Sequence, residues 1–118
     1  MKQSSIKRAL LGSLFFSLIS SACAQADRAL IQRGALLYKS NCIQCHNKDP
    51  NLKGPIGPEM VDAPLEVMTS KIMTGGYPTV LPQGYVPKRR SKAMKKIPKL
   101  QKDIPAIYAW VQSVKKKK

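Results

Sequence analysis

Two thiols and one imidazole are set close together in this chain. Cys42 and Cys45 are separated by two residues, and His46, the single histidine of the 118 residues, follows directly. Cysteines three positions apart on one turn can both bond to carbons along the same edge of a planar macrocycle. The next residue then brings an imidazole against a face of that ring, under its metal. C-x-x-C-H at these offsets reads as the attachment site of one covalent c-type haem, with His46 as an axial iron ligand. Other uses of paired cysteines want a different setting. A thioredoxin-like dithiol belongs in a βαβ context, and no such pattern is present. A tetrahedral zinc site needs four ligands, and no second Cys/His pair exists. A plain disulfide leaves His46 unexplained.

The elements that must position these groups are helical. The first 26 residues differ from the rest: Lys2, Lys7 and Arg8 precede an apolar run, Ala9 to Ile19, and Ala24-Gln25-Ala26 fits an A-x-A cleavage site. Eleven apolar positions are too few to span a bilayer, which takes about 20. Residues 1–26 are therefore expected to be a secretory signal peptide, and 27–118 the mature domain. Cys23, after Ser20-Ser21-Ala22, offers lipid anchoring as the alternative. Asp27 is expected to cap a first helix, DRALIQRGALLYKS, whose buried stripe is Ile31, Gly34, Ala35 and Tyr38. The stretch from Asn47 to Met60, rich in Pro and Gly, reads as loop. Pro64 suits the first turn of a second helix with Leu65, Met68 and Ile72 on one face, ended by Gly75-Gly76. Residues 77–99 read as a long irregular loop, a length that in a small domain usually signals function. The last helix is expected from Asp103 as cap, with Pro105 in its first turn and Ile104, Ile107, Tyr108 and Val111 as its apolar face. The fold class is all-α, with no internal repeat and no convincing strand.

With Gly34 eight residues and Tyr38 four residues before Cys42, and with DIPAIYAWV near the end, the mature chain resembles the small class I bacterial cytochromes c. The resemblance implies their fold: about three main helices around one covalent haem, with long loops. It implies that Gly34 lets the terminal helices cross closely while Tyr38, Ile107 and Trp110 pack around it. It also implies a methionine as the second axial ligand. Met94, sixteen residues before Trp110, has the matching position, although Lys95 and Lys96 follow where the family has Pro or small residues. Met60 is the alternative, and an open or water-bound iron the last. Met68 is assigned to the core, and Met73 lies in the matching I-x-x-G stretch Ile72 to Gly75. The second nitrogen of His46 is expected to donate to the Pro55 carbonyl, with Pro58 competing.

The chain carries a formal charge of +15, of which the leader holds three. Lys88, Arg89, Arg90, Lys92, Lys95, Lys96, Lys99 and Lys102 crowd the segment around Met94. Such clustering suits docking of an acidic redox partner near 88–102. Export argues against nucleic acid as the partner of this charge. Lys115 to Lys118 are expected to be a solvated tail or to touch an anionic membrane surface. Together these features point to a periplasmic one-electron carrier, monomeric if diffusible, cycling Fe(II)/Fe(III) between a dehydrogenase and an oxidase or reductase. The alternative is a haem subunit fixed in a larger periplasmic oxidoreductase. A thiol-disulfide enzyme using Cys42 and Cys45 is the competing enzymatic class.

Overall fold

A computed structural model describes the backbone of residues 6–88 and 93–117, and the side chains from Ala22 onward within those ranges. Lys2, Arg89, Arg90, Lys92 and Lys118 lie outside the described residues, as do the side chains of Lys7, Arg8 and the apolar run. The described chain is all-α: α1 spans Ile6–Asn41, α2 Leu65–Thr74 and α3 Ile104–Ser113, with a 3-10 helix over Pro98–Asp103. No strand forms among the described residues.

α1 does not begin at Asp27. It runs through that residue without a break, because Ala22-Cys23-Ala24-Gln25-Ala26 contains no breaker and favours helix. Asp27 is thus an exposed interior position and not a cap. Residues 22–30 are all exposed, and burial starts with Ile31 and Gly34. From there α1 packs on α3, the most extensive contact between elements. Gly34 is the crossing point. A Cβ there would overlap the Ala106 carbonyl and lie 2.9 Å from Trp110 Cβ. One turn later Tyr38 is 1 % exposed. Its ring lies 4.7 Å from that of Trp110 at 45°, a favourable tilted aromatic pair. Its hydroxyl donates to the Asn47 carbonyl at 2.7 Å. Burial, more than the neighbouring Cys42 and Asp49, pushes the Tyr38 phenol pKa up, so the group remains a donor.

α2 starts one residue after Pro64, which takes the cap position in extended conformation. Val67, Met68 and Ile72 are buried, whereas Leu65 is not. Leu65 is the first helical residue, and its side chain leans back past the end of the packed face. Gly75 closes α2 at φ +82°, returning its N–H to the Lys71 carbonyl at 3.0 Å. A Cβ at Gly75 would overlap the Met94 carbonyl. That close approach is sealed by Met94 N–H to Gly75 O at 2.9 Å and Ile97 N–H to Ile72 O at 2.7 Å. The expected loop therefore ends in ordered structure, passing into the 3-10 helix that buries Leu100.

Asp103 does not cap α3. It has a near-helical φ/ψ of −101°/−7° and no side-chain cap bond, whereas capping needs an extended residue. Its carboxylate instead accepts from Arg33 of α1, at 2.8 Å from Nε and 2.7 Å from Nη2. Nor are Lys115 and Lys116 a solvated tail. Lys115 pairs with Asp62 at 3.1 Å and Lys116 with Asp49 at 2.9 Å. Asn51 completes the clasp, donating to the Val114 carbonyl at 2.9 Å and accepting from Lys116 N–H at 3.0 Å.

Two outcomes test this packing. Gly→Ala in an exposed helix interior stabilises by about 1 kcal/mol. At Gly34 the sign reverses: Gly34→Ala costs about 1–3 kcal/mol in denaturant unfolding, while Leu36→Ala, at an exposed site, changes stability by less than about 0.5 kcal/mol. The clasp also makes stability pH-dependent. Hydrogen bonds from Lys116 and then Asn51 bring the Asp49 carboxyl from 3.8 to about 2, and Lys88 above all holds Glu59 and Asp62 below the usual carboxylate range. Folded carboxyls with lowered pKa bind fewer protons than unfolded ones, so this stabilisation is complete above the ordinary carboxylate pKa and fades as pH falls below it. Tm should drop from pH 5 to pH 2, and Lys116→Gln should remove the share due to Asp49.

Candidate functional site

The cysteine–histidine motif continues α1 by one more turn. Cys42 N–H still donates to the Tyr38 carbonyl at 2.9 Å, and Cys45 and His46 N–H both donate to the Cys42 carbonyl at 3.2 and 2.9 Å. The crossing at Gly34 and the Tyr38 anchor therefore fix the direction in which this turn faces. His46 is buried, 7 % exposed. Its Nδ1 lies 2.9 Å from the Pro58 carbonyl.

Pro58, and not Pro55, is the partner. The reason is the turn below the motif. Ile56 and Gly57 N–H both bond to the Cys45 carbonyl, and Gly54 N–H to the Gly57 carbonyl at 2.9 Å, which folds residues 54–57 under Cys45 and brings the next carbonyl to the ring. Gly57 is required there, because a Cβ would run into the imidazole. At Gly54 a Cβ would meet the Cys45 carbonyl and the His46 backbone. A carbonyl only accepts, so Nδ1 carries a proton; in the neutral form of the ring the lone pair is then on Nε2, the nitrogen through which it would bind a metal.

Cys45 and His46 form part of the wall of a cavity of about 520 Å³. That volume falls in the range of small-molecule and cofactor sites, roughly 300–1,000 Å³. Met60, Met68 and Met94 share the wall with the apolar Val67 and Ile72. Met68 is a core residue, 1 % exposed. Met94 arrives on the segment tied to the end of α2, and Met60 on the loop held by its N–H to the Pro50 carbonyl at 2.8 Å. Cys42 is not on the wall but packs, half-buried, against the hydrophobic core. Burial, with a smaller contribution from Cys45, pushes its thiol up to about 11. A nucleophilic cysteine needs the opposite shift.

Three further wall residues were not evident in the sequence: Lys71, Tyr77 and Tyr85. The two tyrosines, the aromatic residues of a loop set with prolines and glycines, were the available signal. The basic segment divides. Lys88 is bound internally, 2.7 Å from Glu59 and 2.9 Å from Asp62, so it is not an open docking charge. Lys95, Lys96, Lys99 and Lys102 are exposed, and none of them pairs with a carboxylate among the described residues.

Cys23, Cys42 and Cys45 are all free thiols. Among the described residues no group of three or more His, Cys, Asp or Glu side chains is arranged to hold a metal ion. No helix among them is long and apolar enough to cross a membrane. Compared with known proteins, the chain matches no family model, no curated protein and no solved structure.

Proposed function

We propose that residues 27–118 form a class I cytochrome c that carries single electrons in the periplasm, with one haem held covalently by Cys42 and Cys45. The observation that carries this reading is the placement of Cys45, His46 and the thioethers of Met60 and Met94 on the wall of one largely apolar cavity. A haem fits that donor set: an imidazole with its lone pair on Nε2, a thioether as soft second ligand, and apolar side chains for the ring. When bound, it supplies a one-electron Fe(II)/Fe(III) couple whose potential is raised by His/Met ligation.

The protein's own contribution is positioning. The Pro58 carbonyl orients the imidazole and raises its basicity. Gly57 leaves room for the ring of His46, and Gly75 for the backbone of Met94. Met94 is the preferred second ligand, because hydrogen bonds to α2 hold its segment against the cavity; Met60 is the alternative. Attachment through Cys42 requires its side chain to turn from the core toward the wall. The protein catalyses no reaction itself. The exposed lysines 95, 96, 99 and 102 form the face that docks an acidic partner, while Arg89, Arg90 and Lys92 lie outside the described residues. Export by residues 1–26 is supported by the exposure of every described side chain from Ala22 to Ala26, which leaves the core intact after cleavage.

Val80 and Val86, 82 % and 76 % exposed, favour a second reading, a subunit docked permanently in a larger oxidoreductase. Purification with a second polypeptide would select it.

A pyridine haemochrome spectrum tests the central claim. One covalent haem per chain is expected, and Cys42→Ala with Cys45→Ala should abolish the covalent signal. A dithiol enzyme without haem is the outcome that would refute it. Met94→Ala should remove the sulfur-to-iron charge-transfer absorption of the oxidised protein. Loss of that band in Met60→Ala instead would transfer the ligand to Met60.

A further inference from the structure

After α2 the chain leaves the body of the domain. Residues 77–88 contain no helix or strand, and none of them is fully buried. Their one backbone-to-backbone hydrogen bond among the described residues is internal, Tyr85 N–H to the Pro82 carbonyl at 3.1 Å. It closes a turn whose third residue, Gly84, has φ +78°, the geometry of a type II turn. Tyr85 thereby comes back beside Tyr77: the two phenols are hydrogen-bonded, and both line the cavity. Val80, Leu81 and Val86 stay exposed. A segment with so few buried contacts and no backbone bond to its surroundings belongs to the part of a fold that opens most readily.

Side chains hold it at two places. At its near end Ser70 donates to the Gly76 carbonyl at 3.0 Å, and the Lys71 ammonium sits 3.7 Å above the Tyr77 ring. At its far end Lys88 Nζ lies 2.7 Å from Glu59 Oε1 and 2.9 Å from Asp62 Oδ2. Those carboxylates belong to the loop that brings Pro58, Glu59 and Met60 to another part of the wall. The contact is better sheltered than the clasp at Lys116: the Lys88 side chain is 31 % exposed and that of Lys116 69 %. The second oxygen of Glu59 is buried and accepts no hydrogen bond. Removing Lys88 would leave that carboxylate sheltered from water without its cation, which favours moving the contact apart.

We propose that residues 77–88 are a lid on the cavity and that Lys88, gripped by Glu59 and Asp62, is its latch. Closed, the lid lays Tyr77 and Tyr85 against the interior. Released, it admits water and small ligands to the iron, a consequence that rests on the haem reading above. Salt screens ion pairs that are partly exposed, so access rises with ionic strength.

The oxidised holoprotein tests this with imidazole, kept above its own pKa so that salt acts on the latch and not on the encounter. Lys88→Gln should bind imidazole about two- to thirtyfold faster than the wild type, the range for losing two partly exposed ion pairs. Lys88→Arg should restore the slow rate. Added salt should speed the wild type and leave Lys88→Gln unchanged. Nitration by tetranitromethane reads the lid without the iron. The Lys88 charge lowers the Tyr85 pKa, so its loss alone would slow nitration there; faster nitration of Tyr85 in Lys88→Gln therefore reports opening. An imidazole rate unchanged in Lys88→Gln, an acceleration that Lys88→Arg does not reverse, or nitration no faster than in the wild type overturns the latch and leaves the haem reading standing. A chain without covalent haem overturns the haem reading, and nitration alone then decides the lid.

Discussion

Where α1 crosses α3, Gly34 leaves no side chain between the two backbones, and the rest of the frame is measured from that contact. The approach seats Tyr38 against Trp110, one turn further along α1. The Tyr38 hydroxyl then reaches the Asn47 carbonyl, just past the motif. The turn Cys42–His46 is thus held at both ends, by the α1 ladder before it and by the tyrosine after it. The same crossing fixes α3, and so the 3-10 helix that leads into it. That segment carries Ile97 to the Ile72 carbonyl and Met94 to the Gly75 carbonyl. One backbone contact therefore sets the separation between the wall that bears His46 and the wall that bears Met94.

Side chains alone do not close this interior to ordinary packing density: a cavity of about 520 Å³ remains. The chain spends glycine where the frame must touch itself. Gly34 serves the helix crossing, Gly57 the imidazole and Gly75 the Met94 backbone. Only Gly75 among these also needs its left-handed φ. The loop from Asp49 to Asp62 lacks a helix of its own and is clasped by the C-terminus through Lys115, Lys116 and Asn51. That clasp steadies the carbonyl of Pro58, and through it the orientation of His46.

The readable parts of the molecule were those encoded within a few residues. The cysteine–histidine turn, the Gly75 terminator of α2, Pro105 in the first turn of α3 and the buried face of Ile104, Ile107 and Val111 all depend on near neighbours along the chain. The misread parts depend on residues brought from far away. Asp103 looks like a cap until Arg33, seventy positions earlier, takes its carboxylate. Lys115 and Lys116 look like a tail until Asp62 and Asp49 meet them. Pro58 displaces Pro55 because the turn at 54–57 closes under Cys45, a geometry set by the Cys45 carbonyl. Lys71, Tyr77 and Tyr85 share a wall only once α2 and the following loop are in place.

The charge pattern has the same tertiary logic. Of six acidic residues in the chain, Asp49, Glu59, Asp62 and Asp103 are engaged by basic side chains. Three of those four are drawn to the loop that carries Pro58. The carboxylates are thereby confined to structural contacts, and the surplus positive charge is left on the segment around Met94. Unbalanced charge of one sign destabilises a compact state, so its retention there needs a compensating use. A field that attracts acidic surfaces is one such use. The same field opposes further positive charge in the cavity, which would favour the reduced state of a haem bound there, the direction a thioether ligand would also set.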